Sequence, residues 1–471
     1  MELQGSVFLQ NSKPTVRELI KQLSAYYSYV SVLGTDTSGH QYVVSRTGVE
    51  VSDSMLCERG FCVRVHNGTN YSEFSFNDLS EDRLEAVVQQ IVTSVSKECE
   101  QVDSNTYPVM VEEELDKTYY ATVEIDPSTV SAETVIEDLS AVKNFGMSYS
   151  DLVVNVRAIY DYSTVSKIYM STSKDLEQSY VISNAHVISM VQKDGVMKYY
   201  HESSSGLKGY EVVSDLLTLC QNCIDKSIQL LDAKPVLPGE YEIICTPEIS
   251  GLIAHEAFGH GVEMDMFVKN RAKGAEYLGH EVASLKTSMH DGAAAAQHVS
   301  SYLFDDEGTL GSDTLVIENG ILNTGISDLL SALKLGTQPT GNGKRQSFER
   351  KAYARMTNTF FASGQDTLDD MIASVKHGYL LEGMMSGMED PKNWGIQCIM
   401  TMGHEIKDGK LTGHLVSPVI MTGFVPDLLK SISMVSETVE LDGAGFCGKG
   451  YKELVKTANG GPYIKAKARL G

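Results

Sequence analysis

Residues 253–265 read IAHEAFGHGVEMD and place two histidines, His255 and His260, five positions apart around Glu256. The common helical metal motif H-E-x-x-H has a spacing of four, which puts both imidazoles on one helix face. At 100° per residue, a spacing of five turns them about 140° apart on a regular α-helix. A π-helical turn of about 4.4 residues reduces that angle to roughly 50°. The segment therefore predicts either a π-distorted helix with a metal site or a helix end with two unrelated histidines.

The residues around this segment favour the metal site. Thr246-Pro247 predicts a helix that begins there, with threonine as N-cap and proline at the first helical position. Gly259 and Gly261 lie where we expect the distortion, although each costs about 1 kcal/mol of helix stability relative to alanine. Glycines at such positions indicate that local geometry outweighs helix stability.

A catalytic zinc site needs a third protein ligand, and the sequence offers two candidates. Glu281, with His280 beside it, follows at the distance at which a second helix supplies a glutamate ligand. Cys447 lies between glycines in DGAGFCGKG rather than in an apolar run. Glu263 and Asp265 are predicted to orient the imidazoles as hydrogen-bond acceptors. Sequence chemistry alone leaves Glu281 and Cys447 open as the third ligand.

The segment DAKPVLPGEYEII divides the chain near 235–239, because two prolines and a glycine oppose both helix and sheet. We predict an α+β protein with an N-terminal α/β domain, 1–234, and a largely antiparallel β domain, 235–471, that carries the metal-site helix. The predicted helices are 15–28 (with Thr15 as N-cap), 79–99, 131–144, 210–232, 366–377 and 425–433. Predicted hairpins turn at Asn67-Gly68, Asp194-Gly195, Asn319-Gly320 and Asp408-Gly409.

Charge and composition exclude some classes of function. The 39 Lys+Arg are outnumbered by 62 Asp+Glu, for a net charge of −23, so a non-specific nucleic-acid binder is excluded. The N-terminus lacks a basic stretch followed by an apolar run, and no apolar stretch reaches 18 residues. Eight cysteines in 471 residues are too few for a disulfide scaffold. We expect a cytoplasmic protein that contacts neither membrane nor nucleic acid.

Three other segments carry weaker signals. FDDEGTLG at 304–311 is predicted to be a solvated acidic turn, with a cation site as the alternative. Cys220 and Cys223 form a C-x-x-C on a predicted helix with no second pair, which indicates a structural helix face. Cys245 and Cys398 lie in apolar runs and are predicted to be core residues.

Several segments together resemble the TldD/PmbA metallopeptidases, specifically the metal-bearing TldD type. They occur in the family's order: HEAFGHGVEMD (255–265), DDEGTLG (305–311), TGNGKRQ (340–346), RMTNTF (355–360), CGKG (447–450) and the terminal GGPYIKAKARLG. The resemblance implies an N-terminal α/β domain, a largely β C-terminal domain, and His255, His260 and Cys447 as metal ligands. It also implies Glu256 as general base. One departure is the continuation CGKGYKELVKTANGG, where many members have Gly-Gln and Val-Pro pairs.

The resemblance further implies a peptidase acting on unfolded peptides, with one zinc ion per chain, or iron in its place. Family members of this type pair with a metal-free PmbA/TldE-type subunit or form homodimers. Two alternatives remain. One is an H-E-x-x-G-H dipeptidyl-peptidase with Glu281 as third ligand, because HEAFGH also fits that pattern. The other is a non-catalytic regulator that binds a peptide or protein without cleaving it.

Overall fold

The computed structural model describes residues 1–99, 106–450 and 453–471, and its first half is organised around one nine-stranded sheet. The long strand β7 pairs with β8 along its whole length on one side, and with β2 and then β1 on the other. Six of the strands lie in the order β3-β2-β7-β1-β4-β5. Strand β7 also pairs with β8, which in turn pairs with β6 and β9. The strands are β1 (Val30–Ser38), β2 (His40–Ser45), β3 (Gly48–Asp53), β4 (Glu58–His66), β5 (Tyr71–Phe76), β6 (Leu115–Tyr120), β7 (Val153–Ser171), β8 (Lys174–Lys193) and β9 (Val196–Gly206).

Four α-helices cover this sheet with their apolar faces. They are α1 (Val7–Leu23), α2 (Leu84–Cys99), α3 (Ala132–Tyr149) and α4 (Leu216–Gln229). Short 3₁₀ segments, Tyr210–Asp215 and Leu230–Asp232, extend α4 at both ends to the predicted length. Ser131 caps α3, since its side chain accepts a hydrogen bond from the N–H of Thr134.

The bounds that we predicted for the first helix were wrong. It begins at Val7 with Ser6 as N-cap, not at Thr15, and ends at Leu23 rather than at 28. The prediction took Thr15 as the N-cap. An interior proline removes a hydrogen bond and usually ends a helix. Here α1 continues through Pro14. The helix buries one apolar face, formed by Leu9, Val16, Leu19, Ile20 and Leu23.

The second half contains two further sheets and several short hairpins. One sheet has the order β10-β17-β18-β20-β26-β21 with β19 on β18, and the other has the order β13-β12-β11-β16-β25-β22. Most pairs are antiparallel; β10–β17 and β16–β25 are parallel. The strands are β10 (Gly239–Cys245), β11 (Met289–Asp291), β12 (Thr314–Glu318), β13 (Ile321–Leu322), β14 (Gly343–Lys344), β15 (Tyr353–Ala354), β16 (Asn358–Phe361), β17 (His377–Asp390), β18 (Gly395–Lys407), β19 (Lys410–Val416), β20 (Val419–Phe424), β21 (Met434–Val435), β22 (Glu440–Asp442), β23 (Phe446–Lys449), β24 (Glu453–Lys456), β25 (Ala458–Gly461) and β26 (Ile464–Leu470).

The described α-helices of this half are short. They are α5 (Pro247–Leu252), α6 (Met264–Val268), α7 (Leu329–Leu335), α8 (Leu368–Ala373) and α9 (Val425–Lys430). The mixture of helices and strands confirms the α+β class, with a largely β second half. The boundary near 235 stays a prediction. No helix in the described part of the chain is long and apolar enough to cross a membrane.

The four predicted hairpins are all present, with Asn67-Gly68, Asp194-Gly195, Asn319-Gly320 and Asp408-Gly409 between paired strands. Cys245 and Cys398 are fully buried, as expected.

The acidic turn differs from its prediction. Asp305, Asp306 and Glu307 are at most 5% exposed, so the prediction of a solvated turn was wrong. The charges of Asp306 and Glu307 are compensated by cations from the first half of the chain, which local sequence does not reveal.

Candidate metal centre

The helix that carries the two histidines changes its winding as it approaches them. It starts as α5 at Pro247, continues as a π-helix over Ile253–Phe258, and tightens to a 3₁₀ turn over Gly259–Val262. The predicted π distortion is therefore confirmed. The predicted start at Pro247 is also correct, although Thr246 makes no side-chain capping hydrogen bond.

The two glycines are needed for close packing of this turn. A Cβ on Gly259 would lie 2.1 Å from Sδ of Met356, and one on Gly261 would lie 2.5 Å from Oε1 of Glu389. Both glycines lie in the 3₁₀ turn after the π-helix, not within the π turn where we expected the distortion. Their role is to let neighbouring side chains approach the backbone.

The winding brings His255 and His260 next to Cys447, which is on β23. One possible ligand atom from each of the three side chains lies within 4.8 Å of the other two. Nε2 of His260 is 3.7 Å from Sγ of Cys447, and the imidazole centroids are 5.3 Å apart with their planes at 89°. His255 and Cys447 are each 3% exposed. The three side chains converge on one small volume.

The chemistry of this cluster fits a metal ion. Both ring nitrogens of His255 are buried and have no hydrogen-bond partner among the described residues, and an unpaired buried polar atom is unfavourable by about 1–3 kcal/mol. A metal ion bound by one of these two nitrogens would give that nitrogen a partner and leave only the other one unpaired. Two imidazoles and one thiolate form a donor set typical of zinc, with one position free for water.

Glu256 lies beside both imidazoles. Its Oε1 is 3.8 Å from Nε2 of His255, and its Oε2 is 3.6 Å from Nε2 of His260. The carboxylate is 28% exposed, so water reaches it. On the other side, Gly387 of β17 packs so closely that a Cβ there would lie 2.5 Å from Cβ of Glu256. Glu256 is thus packed closely against β17 and remains partly exposed beside the cluster.

Glu263 orients His260, as predicted. The Nδ1–H of His260 donates to Oε2 of Glu263 at 3.2 Å, which leaves Nε2 for the cluster. Burial alone would raise the pKa of Glu263, but Lys449 and His260 hold it at about 2. Asp265 was predicted to play the same role, and this was wrong. Its carboxylate instead pairs with Lys449 and Lys269.

The cluster favours an ionised thiol. Burial alone would raise the pKa of Cys447, but the charge of His255, together with the hydrogen bond and charge of His260, holds it well below the usual thiol value. Burial would likewise lower the pKa of His260, but the carboxylate of Glu263 and the sulfur of Cys447 raise it well above its usual value. A thiolate is the form of cysteine that ligates metals.

Glu281, the other candidate for the third ligand, lies elsewhere. Its side chain is 61% exposed and pairs with Lys430 at 3.6 Å. His280 is also exposed. Among the described residues, the cluster that could hold a metal consists of His255, His260 and Cys447. The geometry therefore gives no support to the H-E-x-x-G-H alternative.

Sequence reasoning missed three residues around the cluster. Lys449 pairs with Glu263 at 3.0 Å, Arg355 donates to the backbone carbonyl of Cys447 at 2.7 Å, and Glu389 accepts from the backbone N–H of Gly261 at 3.0 Å. Burial raises the pKa of Glu389 to about 8. Lys449 and Arg355 lie in CGKG and RMTNTF, segments that carried the resemblance, but nothing in their spacing indicated these contacts.

Comparison with known proteins identifies the family of the chain. The profile described as "PmbA/TldA metallopeptidase C-terminal domain" matches residues 238–468, which include the whole cluster. A protein named as a metalloprotease in Methanocaldococcus jannaschii is 27% identical over 425 residues, 87% of this chain and 90% of that one. A "Zinc metalloprotease TldD homolog" of Saccharolobus solfataricus is 24% identical over 418 residues, 87% of this chain and 89% of that one. The chain belongs to the TldD/PmbA family.

Solved structures share the fold of this family member. A putative modulator of DNA gyrase from Thermotoga maritima aligns with a TM-score of 0.79 at 16% identity, over 98% of this chain and all of that one. TldE from Thermococcus kodakarensis aligns with a TM-score of 0.78 at 16% identity, over 97% of this chain and all of that one. At this identity the likeness concerns the fold alone.

Proposed function

We propose that this TldD/PmbA family member is a metal-dependent peptidase of the TldD type that hydrolyses peptide bonds in unfolded peptides. One observation carries the proposal. The candidate ligand atoms of His255, His260 and Cys447 lie within 4.8 Å of one another, beside the accessible carboxylate of Glu256. The names of the relatives, which are metalloproteases, support the same activity.

In this proposal His255, His260 and Cys447 hold one zinc ion per chain, with ferrous iron as the alternative. When bound, the ion supplies Lewis-acid chemistry and lowers the pKa of a coordinated water to about 7. Glu263 keeps His260 in the tautomer whose Nε2 faces the cluster, because Nδ1–H is donated to it.

Glu256 is the proposed general base. Its carboxylate takes a proton from the attacking water and later delivers it to the nitrogen of the leaving amine. Its position suits this role, because Gly387 supports its stem while 28% of its side chain stays exposed. Burial of His255 and Cys447 keeps bulk water from their ligand atoms.

The substrate is proposed to bind in extended form along a sheet edge, where main-chain hydrogen bonds tolerate many sequences. Strand β17 supports this. It pairs with β10 only over residues 378–381, and no described strand pairs with 384–390 on the side away from β18. Gly387, within this stretch, lies against Glu256. A peptide added there would pass next to the proposed base.

The proposed setting is a cytoplasmic dimer, either with a metal-free PmbA/TldE-type subunit or with a second copy of this chain. The likeness of the fold to TldE supports a partner of that kind. The net charge of −23 argues against a nucleic-acid partner.

Metal content and cleavage of denatured peptides, measured in the same preparations, test the proposal. We expect about one metal ion per chain in the wild type, and loss of both metal and cleavage in His255→Ala and Cys447→Ala. Glu256→Gln should keep the metal and lose cleavage by about 10²–10⁴-fold, the usual contribution of a general base. Cys57→Ala removes an exposed thiol and serves as the control that changes neither. Full metal in Cys447→Ala would contradict the ligand set.

A non-catalytic regulator remains the second candidate, because solved neighbours of this fold are described as putative modulators of DNA gyrase. Glu256→Gln separates the two ideas. A regulator would keep its cellular effect in this variant, whereas a peptidase would lose it while the protein retains metal and fold.

A further inference from the structure

The third candidate ligand is carried by a hairpin that has little sheet support of its own. Strands β23 and β24 pair with each other, and among the described residues they join no larger sheet. Cys447 is on β23, 187 residues after His260 in the chain. Some other contact must therefore fix the distance between the thiol and the two imidazoles.

Two buried basic side chains, those of Arg355 and Lys344, donate hydrogen bonds to the backbone of this hairpin. Arg355, 1% exposed, donates to the carbonyls of Cys447 at 2.7 Å and Glu453 at 3.3 Å. Lys344 donates to the carbonyl of Lys456 at 2.5 Å. These contacts fix the hairpin against the body of the protein, but they do not touch the segment that carries the histidines.

Lys449 connects the hairpin to the segment that follows the two histidines. Its ammonium group is 13% exposed and lies 3.0 Å from Oε2 of Glu263 and 2.6 Å from Oδ1 of Asp265. It also donates to the carbonyl of Ala354 at 2.9 Å. Glu263 in turn accepts from Nδ1 of His260. A continuous path of short polar contacts thus runs from β23 to a histidine of the cluster.

We infer that Lys449 is a positioning residue of the metal centre: its bridge to Glu263 and Asp265 sets the hairpin so that the thiol of Cys447 meets the two imidazoles. The inference rests on the proposed metal site. The charges explain why a cation is required here, because the two carboxylates are 2% and 8% exposed and would repel each other without it.

The structure provides a matched control in Lys269. It pairs with the same carboxylate, from its Nζ to Oδ2 of Asp265 at 2.9 Å, but it lies just after α6 and forms no hydrogen bond or ion pair with the described residues of the hairpin. Its side chain is 45% exposed. Lys269→Met therefore removes a lysine from Asp265 without removing the link to β23.

Cobalt(II) is the probe for the test, because it shows visible bands for any tetrahedral site and a near-ultraviolet charge-transfer band for a bound thiolate. We expect Lys449→Met to weaken cobalt binding by about 10–100-fold, as for other residues that orient metal ligands, and to lose the charge-transfer band more than the visible bands. Lys449→Arg keeps the positive charge and should recover the band. Lys269→Met should match the wild type.

Three results would overturn the inference: a normal charge-transfer band in Lys449→Met, an equal loss in Lys269→Met, or no recovery in Lys449→Arg. If the wild type itself shows no thiolate band, the proposed metal site fails, and the bridge is tested separately in metal-free protein. There Lys449→Met should speed alkylation of Cys447, buried at 3% exposure, at least several-fold by peptide mass spectrometry. An unchanged rate would reject the bridge.

Discussion

The carboxylate of Glu382 lies between the ammonium group of Lys226 and the imidazole of His404, and shows how a single side chain couples pH to folding. Its Oε1 is 2.5 Å from Nζ of Lys226, and its Oε2 is 3.0 Å from Nε2 of His404. Burial would raise the pKa of Glu382, but the hydrogen bond from His404 and the charge of Lys226 lower it from 4.5 to about 2. The ionised form therefore stabilises the fold at neutral pH.

Because the folded-state pKa is depressed, this stabilisation is complete above about pH 4.5 and is lost as the pH falls towards about 2. We expect Glu382→Gln to reduce the free energy of unfolding by on the order of 3 kcal/mol at pH 6. The difference between variant and wild type should shrink steadily between pH 4.5 and 2. Denaturant titrations followed by circular dichroism at several pH values measure it.

The exposed Glu50 on β3 provides the comparison. Glu50→Gln should change stability little, because this side chain is exposed on the sheet surface. A constant difference between Glu382→Gln and the wild type from pH 6 to pH 2 would show that the ion pair does not depend on ionisation in this way.

At the scale of elements, strand β17 packs directly against the helix that carries Glu256. Gly387 of β17 leaves no room between the strand and the helix: a Cβ there would lie 2.5 Å from Cβ of Glu256 and 2.8 Å from Cδ1 of Leu252. The strand's glycine thus fixes how close the proposed base lies to the strand. Sequence spacing predicts the π distortion, but not which strand lies behind it.

Gly387→Ala should therefore displace Glu256 without removing a ligand. We expect cleavage to fall by about 10²-fold, as for other small misplacements of catalytic groups, while the metal content stays near one per chain. Parallel measurement of turnover and metal in purified protein checks this. Gly423, on β20 of the same sheet, serves as the control, because an added Cβ there would meet nothing within 4 Å. Gly423→Ala should therefore leave turnover and metal content unchanged. Equal activity in the two variants would rule out the packing argument.

Across the whole molecule, the acidic turn of the second half is neutralised by the first half. Arg64 of β4 pairs with Glu307, and with Glu73 at 2.7 Å. The side chains of Arg64 and Glu307 are 5% and 1% exposed. Lys167 of β7 pairs with Asp306 in the same region. Separating the two halves would leave Asp306 and Glu307 without these cations.

Arg64→Met should leave Glu307 as a buried, poorly compensated carboxylate and lower the apparent free energy of unfolding by about 3–5 kcal/mol. Urea denaturation followed by circular dichroism measures the loss. Arg83 and Asp78 form an ion pair whose side chains are both more than half exposed, so Arg83→Met should change stability by less than about 1 kcal/mol. Similar effects of the two substitutions would contradict a buried role for Arg64.

Local patterns determined much of this protein directly. The Asn-Gly and Asp-Gly pairs predicted all four hairpin turns, because few other residues accept their backbone angles. The five-residue spacing of His255 and His260 predicted the π-helix, since regular winding would separate the imidazoles. These features depend on neighbouring residues, so a single sequence contains the necessary information.

Tertiary structure alone decided the rest. From the residues themselves Glu281 and Cys447 were equal candidates, and only the packing of β23 puts the thiol beside the imidazoles while Glu281 faces solvent. The burial of Asp306 and Glu307, and the bridge from Lys449 to Glu263, likewise depend on segments far away in the chain. The physical reason is the same in each case: the cost of burying a charge depends on which opposite charge the fold brings to it.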